Sequence, residues 1–157
     1  MPKSLERSPG VHAYIFQNHP DYGKERHLKI KWIAHARVDN ITPSLLKLMK
    51  EAGCILLRFG IESGSRRIID ILKKRDSDID WIETSRAVFK NSREEGISTA
   101  ALFIIGSPSE SQSEIESSLK LAKELEPDFI QVHFFTPYVG SAAYEQYKSR
   151  IEGESLL

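Results

Sequence analysis

From Lys29 onward, short apolar runs alternate with amphipathic stretches that stop at glycine or proline, and this rhythm constrains the chain more than any other feature. Strands alternating with helices build parallel βα units, because a parallel pair needs a crossover long enough to bring the chain back. The apolar runs fall at residues 30–36, 54–61, 97–105 and 129–135. They predict four parallel strands in sequential order with helices on the outer face. The second run is nearly all apolar, which predicts a strand covered on both faces.

The intervening stretches carry helix signals. Thr42-Pro43 supplies an N-cap and a proline at the first helical position, Leu45, Leu48, Met49 and Ala52 form an inward stripe, and Gly53 stops the helix. Ser65 caps a short helix running to Lys74, with Ile68, Ile69, Ile71 and Leu72 inside. Asp80 with Glu83 and Ser111 with Glu114 have capping-box spacing. The first opens a helix of Trp81, Ser85, Val88 and Phe89; the second opens one with Ile115, Ser118, Leu119, Ala122 and Leu125 inward, ended by Pro127. Lys50-Glu-Ala-Gly-Cys54 leads to Phe59-Gly60 much as Arg93-Glu-Glu-Gly-Ile97 leads to Phe103-Ile-Ile-Gly106, a loose repetition that suits a barrel of similar units. Residues 1–28 do not follow the rhythm. Residues 11–16 have strand character, but Asn18-His-Pro-Asp-Tyr-Gly23 is turn chemistry and leaves little room for a crossover helix, so this segment is read as irregular. The barrel part spans residues 29–151, with 152–157 as a tail.

The 157 residues are 40% hydrophobic and 28% charged, the balance of one globular domain. Equal numbers of basic and acidic residues, 22 each, leave no broad positive field for a nucleic-acid backbone or an anionic membrane. No apolar run approaches the roughly 20 residues of a membrane helix, and a cytoplasmic setting is expected. Cys54 is the single cysteine, read as a small buried strand residue. The five histidines show no partner at a helical metal spacing, and no metal site is assigned.

In parallel βα folds ligands sit beyond the carboxyl ends of the strands. Those positions are polar and glycine-rich here: Arg37-Val-Asp39, Gly60-Ile-Glu-Ser-Gly64, Gly106-Ser-Pro-Ser-Glu110 and Thr136-Pro-Tyr-Val-Gly-Ser141. Spacing leaves Glu62 two readings. Its carboxylate can accept hydrogen bonds from the vicinal hydroxyls of a ribose, or it can cap or salt-bridge the next helix. His133, in the last strand, serves a site if it points inward and is merely packed or solvated if it points outward. Lys73-Lys-Arg75 either complements a helix dipole or pairs a ligand carboxylate.

Taken in order, Arg37-Val-Asp39, Met49-Lys-Glu-Ala-Gly-Cys54, Phe59-Gly-Ile-Glu-Ser-Gly-Ser65, Ile104-Ile-Gly-Ser-Pro-Ser-Glu110 and Pro137-Tyr-Val-Gly-Ser141 resemble the radical S-adenosylmethionine (radical SAM) family. The nearest branch is the one with an Elp3/MiaB/NifB-like core and B12-binding-domain members. The resemblance implies part of a (βα)6 barrel, about four βα units, in which a [4Fe-4S] cluster donates an electron to S-adenosylmethionine and releases a 5′-deoxyadenosyl radical. It further implies that Glu62 contacts the ribose, that Lys74 lies near the methionine carboxylate, and that the strand Leu102 to Gly106, with Ile104 and Gly106 as its binding positions, lies against the adenine. Ser63 and Arg37 are carried over as further cofactor-binding positions. No catalytic residue is assigned.

Three features depart from the family pattern. The CxxxCxxC cluster motif is absent, since Cys54 stands alone. The glycine-rich motif that binds the methionine amino group is not found, and the usual proline-glycine turns read Pro108-Ser-Glu110 and Tyr138-Val-Gly-Ser141. A segment that is inactive alone is therefore expected, one that needs a cluster-bearing N-terminal fragment or associates with a second copy through its open sheet edge. A non-catalytic module binding a nucleoside-like ligand or a partner protein is the alternative. The substrate is not specified.

Overall fold

The computed structural model describes residues 12–16, 31–72 and 79–153, with side chains for 31–72 and 79–148. Strands β1 (His12–Phe16), β2 (Lys31–Ala36), β3 (Cys54–Glu62), β4 (Ser98–Ile105) and β5 (Phe129–Phe134) form one sheet in that order. β2 through β5 pair in parallel, as the alternating rhythm predicts. Helices α1 (Pro43–Glu51), α2 (Arg66–Ile71), α3 (Trp81–Glu94) and α4 (Gln112–Leu125) lie between these strands in the chain, and α5 (Ala142–Gly153) follows β5. The architecture is a partial parallel α/β barrel.

β1 is antiparallel to β2, with His12 opposite His35 and Phe16 opposite Lys31. An antiparallel neighbour needs no crossover helix, so the turn chemistry after residue 16 does not prevent pairing. The rest of residues 1–28 lies outside the described residues, as do residues 154–157 of the tail.

The expected caps start the helices. Thr42 Oγ1 accepts the Leu45 N–H at 3.2 Å with Pro43 next to it, Ser65 Oγ accepts Ile68 N–H at 3.4 Å, and Asp80 accepts Glu83 N–H at 3.3 Å. Glu114 returns to the Ser111 N–H at 2.9 Å. Each satisfies a backbone donor that a helix start leaves without an intrahelical partner. α5 carries no signal in the sequence reading, yet it begins the same way, with Ser141 Oγ accepting Tyr144 N–H at 3.1 Å.

The core lies between the sheet and the helices. Ala34 and Ala36 of β2, Leu57, Phe59 and Ile61 of β3, and Ala101 and Phe103 of β4 meet Leu46 and Met49 of α1, Val88 and Phe89 of α3, and Leu121, Ala122 and Leu125 of α4. The Phe59 and Phe89 rings stand 5.2 Å apart and both are buried. Burying each such ring contributes about 1.5–3 kcal/mol.

The inward faces of three helices differ from those expected. On α1, Leu46 is buried and Leu48 is 57% exposed; on α4, Leu121 is buried and Leu119 is 58% exposed. In both cases two overlapping apolar series fit one helix, and the buried one is fixed by what the sheet presents. On α4 that is the close approach described below at Ser118. On α2, Ile68 and Ile69 are buried while Ile71 is exposed, and the expected extension to Lys74 falls outside the described residues. β3 also departs from its reading: Leu57, Phe59 and Ile61 are covered by helices, whereas Leu56 and Arg58 on the opposite face are only half-buried. The face that a closed barrel encloses is open among the described residues.

Cys54 opens β3. The register between β2 and β3 shifts after Trp32, with Trp32 opposite Cys54 and Ile33 opposite Leu56, so Ile55 is an extra residue and Cys54 enters the core. Its thiol donates to the Leu56 carbonyl at 3.7 Å, and burial pushes its pKa up to about 11. Native chain treated with iodoacetamide at about pH 8 is therefore expected to alkylate far more slowly than urea-unfolded chain. Equal rates would contradict a buried Cys54.

Candidate functional site

β3 and β4 are parallel neighbours, so the residues that follow them gather at one end of the sheet. Glu62 ends β3, with Phe103 as its partner across a register shift at Ile61. It holds φ 69°, and the residue is 8% exposed. A left-handed conformation costs a non-glycine residue about 1–2 kcal/mol. Strain of this sort gathers at ligand sites and switch regions.

The next three residues are bound inward. Ser63 is fully buried; its N–H donates to the Ile61 carbonyl at 2.9 Å, and its hydroxyl lies 3.1 Å from Ser118 Oγ while accepting Ser65 N–H at 3.1 Å. Gly64 N–H donates to Ser118 Oγ at 2.8 Å. A Cβ at Gly64 would stand 2.3 Å from the Ser117 carbonyl oxygen and 2.7 Å from Ser118 N. Here glycine serves contact between loop and helix.

Past β4, the chain turns at Gly106 (φ 75°) and Ser109 (φ 60°). One oxygen of Glu110, Oε2, accepts the Gly106 and Ser107 N–H groups at 2.7 and 3.1 Å. The other, Oε1, is buried without a hydrogen-bond partner among the described residues, and so is the hydroxyl of Ser107. Buried polar atoms are nearly always partnered, so two orphans in one turn set it apart; the third among the described residues is Ser92 Oγ of α3. Ile104, half-buried, shares a row with His133 of β5 on the helix-free face of the sheet.

An arginine not singled out from the sequence ties these loops together. Arg67 donates through Nε and Nη2 to the two Glu114 oxygens at 2.9 and 2.6 Å, and to Ser109 Oγ and the Ser109 carbonyl at 3.0 and 2.8 Å. Ser65 Oγ adds a bond to Glu114 at 2.7 Å. The Arg67 guanidinium first, and the Ser111 N–H next, hold the Glu114 carboxyl well below the usual carboxylate range. At the end of β2, Arg37 pairs with Asp39 at 2.6 Å and lies 5.4 Å from the centre of the Trp81 ring, whose Nε1 donates to the Ile61 carbonyl at 3.2 Å. At β5, Tyr138 and Val139 are exposed.

Of the positions expected to bind cofactor, Glu62, Ser63, Ile104, Gly106 and Arg37 come to the carboxyl ends of β2, β3 and β4. Lys74 lies outside the described residues. Ser63 and Arg37 spend their polar groups on partners within the chain. The sequence shows Ser118 only as a serine inside an apolar helical stripe and gives no sign of the Arg67 contacts, because the partners of both are distant along the chain. Among the described residues no group of three His, Cys, Asp or Glu side chains is placed to hold a metal ion. Cys54 lies at the opposite end of β3 from Glu62, buried and with a raised pKa, so the donor set of this chain does not fit an iron-sulfur cluster. No helix among the described residues is long and apolar enough to cross a membrane.

No protein-family model matches the chain. An uncharacterized methyltransferase of Pyrococcus horikoshii is 36% identical over 125 residues, covering 78% of this chain and 26% of the relative. The anaerobic magnesium-protoporphyrin IX monomethyl ester cyclase of Rubrivivax gelatinosus is 26% identical over 149 residues, covering 94% of this chain and 26% of the relative. The chain thus spans about a quarter of the length of these curated relatives. Among solved structures, the archaeal Elp3 of Methanocaldococcus infernus superposes with a TM-score of 0.63 at 18% identity over 74% of this chain and 27% of its own. The radical S-adenosylmethionine methyltransferase TsrM of Kitasatospora setae, solved with cobalamin and a [4Fe-4S] cluster, gives 0.60 at 15% identity over 65% of this chain and 20% of its own. At these identities the structures speak to the fold.

Two consequences follow for the rim. Gly64→Ala is expected to lower stability by about 1–3 kcal/mol, because the added methyl meets α4 backbone; an unchanged urea midpoint would rule out the close approach. The carboxyl of Glu114 is a stronger acid folded than unfolded. Its contribution is therefore complete above the ordinary glutamate value of about 4.3 and fades as pH falls below it. The urea-midpoint gap between wild type and Glu114→Gln should be widest near neutrality and shrink from about pH 4 downward. A gap indifferent to pH would count against the Arg67–Glu114 pair.

Proposed function

Because this chain is related to the radical SAM superfamily and has the fold of part of its barrel, we propose that it supplies the S-adenosylmethionine-binding side of a radical SAM enzyme while the cluster is held elsewhere. The observation that carries this reading is the rim. Glu62, a buried residue with a left-handed backbone, ends the strand beside a turn in which Ser107 Oγ and Glu110 Oε1 are buried and without partners among the described residues. A carboxylate there accepts from vicinal hydroxyls of a ribose, and the two orphaned atoms match the polar edge of a nucleoside. The backbone through Ile104 to Gly106 would lie along the adenine.

When bound and reductively cleaved, S-adenosylmethionine supplies a 5′-deoxyadenosyl radical. What this chain contributes is binding and orientation: Glu62 fixes the sugar, the β4 turn fixes the base, and Arg67 with Glu114 keeps the two loops in register. Lys74 is assigned the methionine carboxylate on resemblance alone. The cluster belongs to a cysteine-bearing N-terminal part of the barrel, carried by the same or another polypeptide, and the chain by itself is inactive. A second reading is favoured by the burial of the lone Cys54, namely a module that binds a nucleoside-like ligand without chemistry.

Titration calorimetry tests the binding. S-adenosylmethionine is expected to bind the full chain, and Glu62→Ala to weaken it at least about tenfold, the loss of a charge-assisted hydrogen-bonded contact. Reconstituted anaerobically with iron and sulfide, the chain should take up no cluster and form no 5′-deoxyadenosine with a reductant; adding a cysteine-bearing N-terminal part should restore both. Uptake of about four irons per chain with 5′-deoxyadenosine formation would overturn the division of labour. Binding that is never followed by cleavage would select the second reading.

A further inference from the structure

Arginines 37, 66, 67, 86 and 93 each pair with a carboxylate: Asp39, Asp80, Glu114, Glu124 and Glu126. Arg58 does not. Its guanidinium donates to the amide oxygen of Gln131, and among the described residues no carboxylate faces it. It stands in the middle of an apolar strand, half-buried. A partly buried cation held by a neutral amide keeps most of its desolvation cost, whereas an aliphatic residue would carry none.

Its position is fixed by alternation. Leu57 and Phe59 point into the helix-covered core, so Arg58 points to the open face. Strand register sets His35, Arg58, Ala100 and Phe129 in one row from β2 to β5. With Leu56, Ala100, Phe129, Ile130 and Gln131, Arg58 lines a hollow of about 290 Å³. This is near the lower end of small-molecule sites. The walls are aliphatic and aromatic, and Arg58 is the one charged residue among them. The hollow lies by the first residues of β4 and β5, away from Glu62 and the β4 turn.

We propose that this hollow binds the carboxylate of an apolar, planar ligand. Arg58, aimed by Gln131, supplies the ion pair, and Leu56 and Phe129 supply the apolar contact. A monoanion matches a single guanidinium, while a phosphate dianion would leave a charge uncompensated against apolar walls. The site is independent of the rim and of S-adenosylmethionine.

The full chain is titrated with 2-naphthoate, 2-naphthyl phosphate and the neutral 2-naphthalenemethanol, in wild type, Arg58→Met, Arg58→Lys and Phe129→Ala. The expected order for wild type is naphthoate tightest. Arg58→Met should weaken naphthoate at least about tenfold and leave the neutral alcohol unchanged, Arg58→Lys should retain part of the affinity, and Phe129→Ala should weaken both. The unchanged alcohol is the check that Arg58→Met still folds. If Arg58→Met also loses the alcohol, Arg58→Lys decides: retained preference for naphthoate over the alcohol supports the site, and a lost preference refutes it. No binding of naphthoate to wild type, equal binding to wild type and a folded Arg58→Met, or a stronger response to the phosphate each overturns the proposal.

Discussion

The loop after β3 meets α4 backbone to backbone, and the rim takes its shape from that contact. Gly64 allows the approach, and Ser118 Oγ, placed in the gap, receives the Gly64 N–H and lies against the Ser63 hydroxyl. With α4 held there, its first turn lies beside α2. Glu114 is then within reach of both Ser65 and Arg67, and Arg67 in turn reaches Ser109. A chain of short polar contacts thus joins the segment that bears Glu62 to the turn that bears Ser107 and Glu110. Any side chain at position 64 would have to move the helix, and the links beyond it would lengthen together.

The two faces of the sheet do different things because strand side chains alternate. One face, Leu57, Phe59, Ala101 and Phe103, is sealed by helices and supplies the hydrophobic stabilisation. The other, with Leu56, Arg58, Leu102 and Ile104, is half-buried and concave enough to form a hollow. Phe129, Ile130, Val132 and Phe134 of β5 are exposed, and β1 lies along the other edge, on β2. Among the described side chains, exposed apolar surface gathers at β5.

Much of this was legible in the residues. Four strands, their parallel order, the caps at Thr42, Ser65, Asp80 and Ser111, and the gathering of Glu62 and Gly106 at one end all follow from periodicity and capping chemistry. The faces of α1 and α4 did not, because Leu45 and Leu48, or Ile115 and Leu119, fit a helical stripe as well as the leucines that are buried. Arg58 does leave a signal in the sequence, the single charge within the apolar run 54–61. Its partner Gln131 is 73 residues away, and no local pattern connects them.

The sequence by itself determined the alternation of strands and helices, the points where helices start, and the absence of a thiolate set for a cluster. Those depend on interactions within a few residues or on counting, and are read without knowing the fold. Only the tertiary structure decided which helix face meets the sheet, that Arg67 bridges to Glu114 at a separation of 47 residues, that Ser63 is spent on Ser118, and that Arg58 pairs with the Gln131 amide and with no carboxylate among the described residues. Each of these is set by packing between segments distant along the chain. Periodicity limits which side chains share a face of an element, but what that face meets depends on the neighbour that sheet order brings against it.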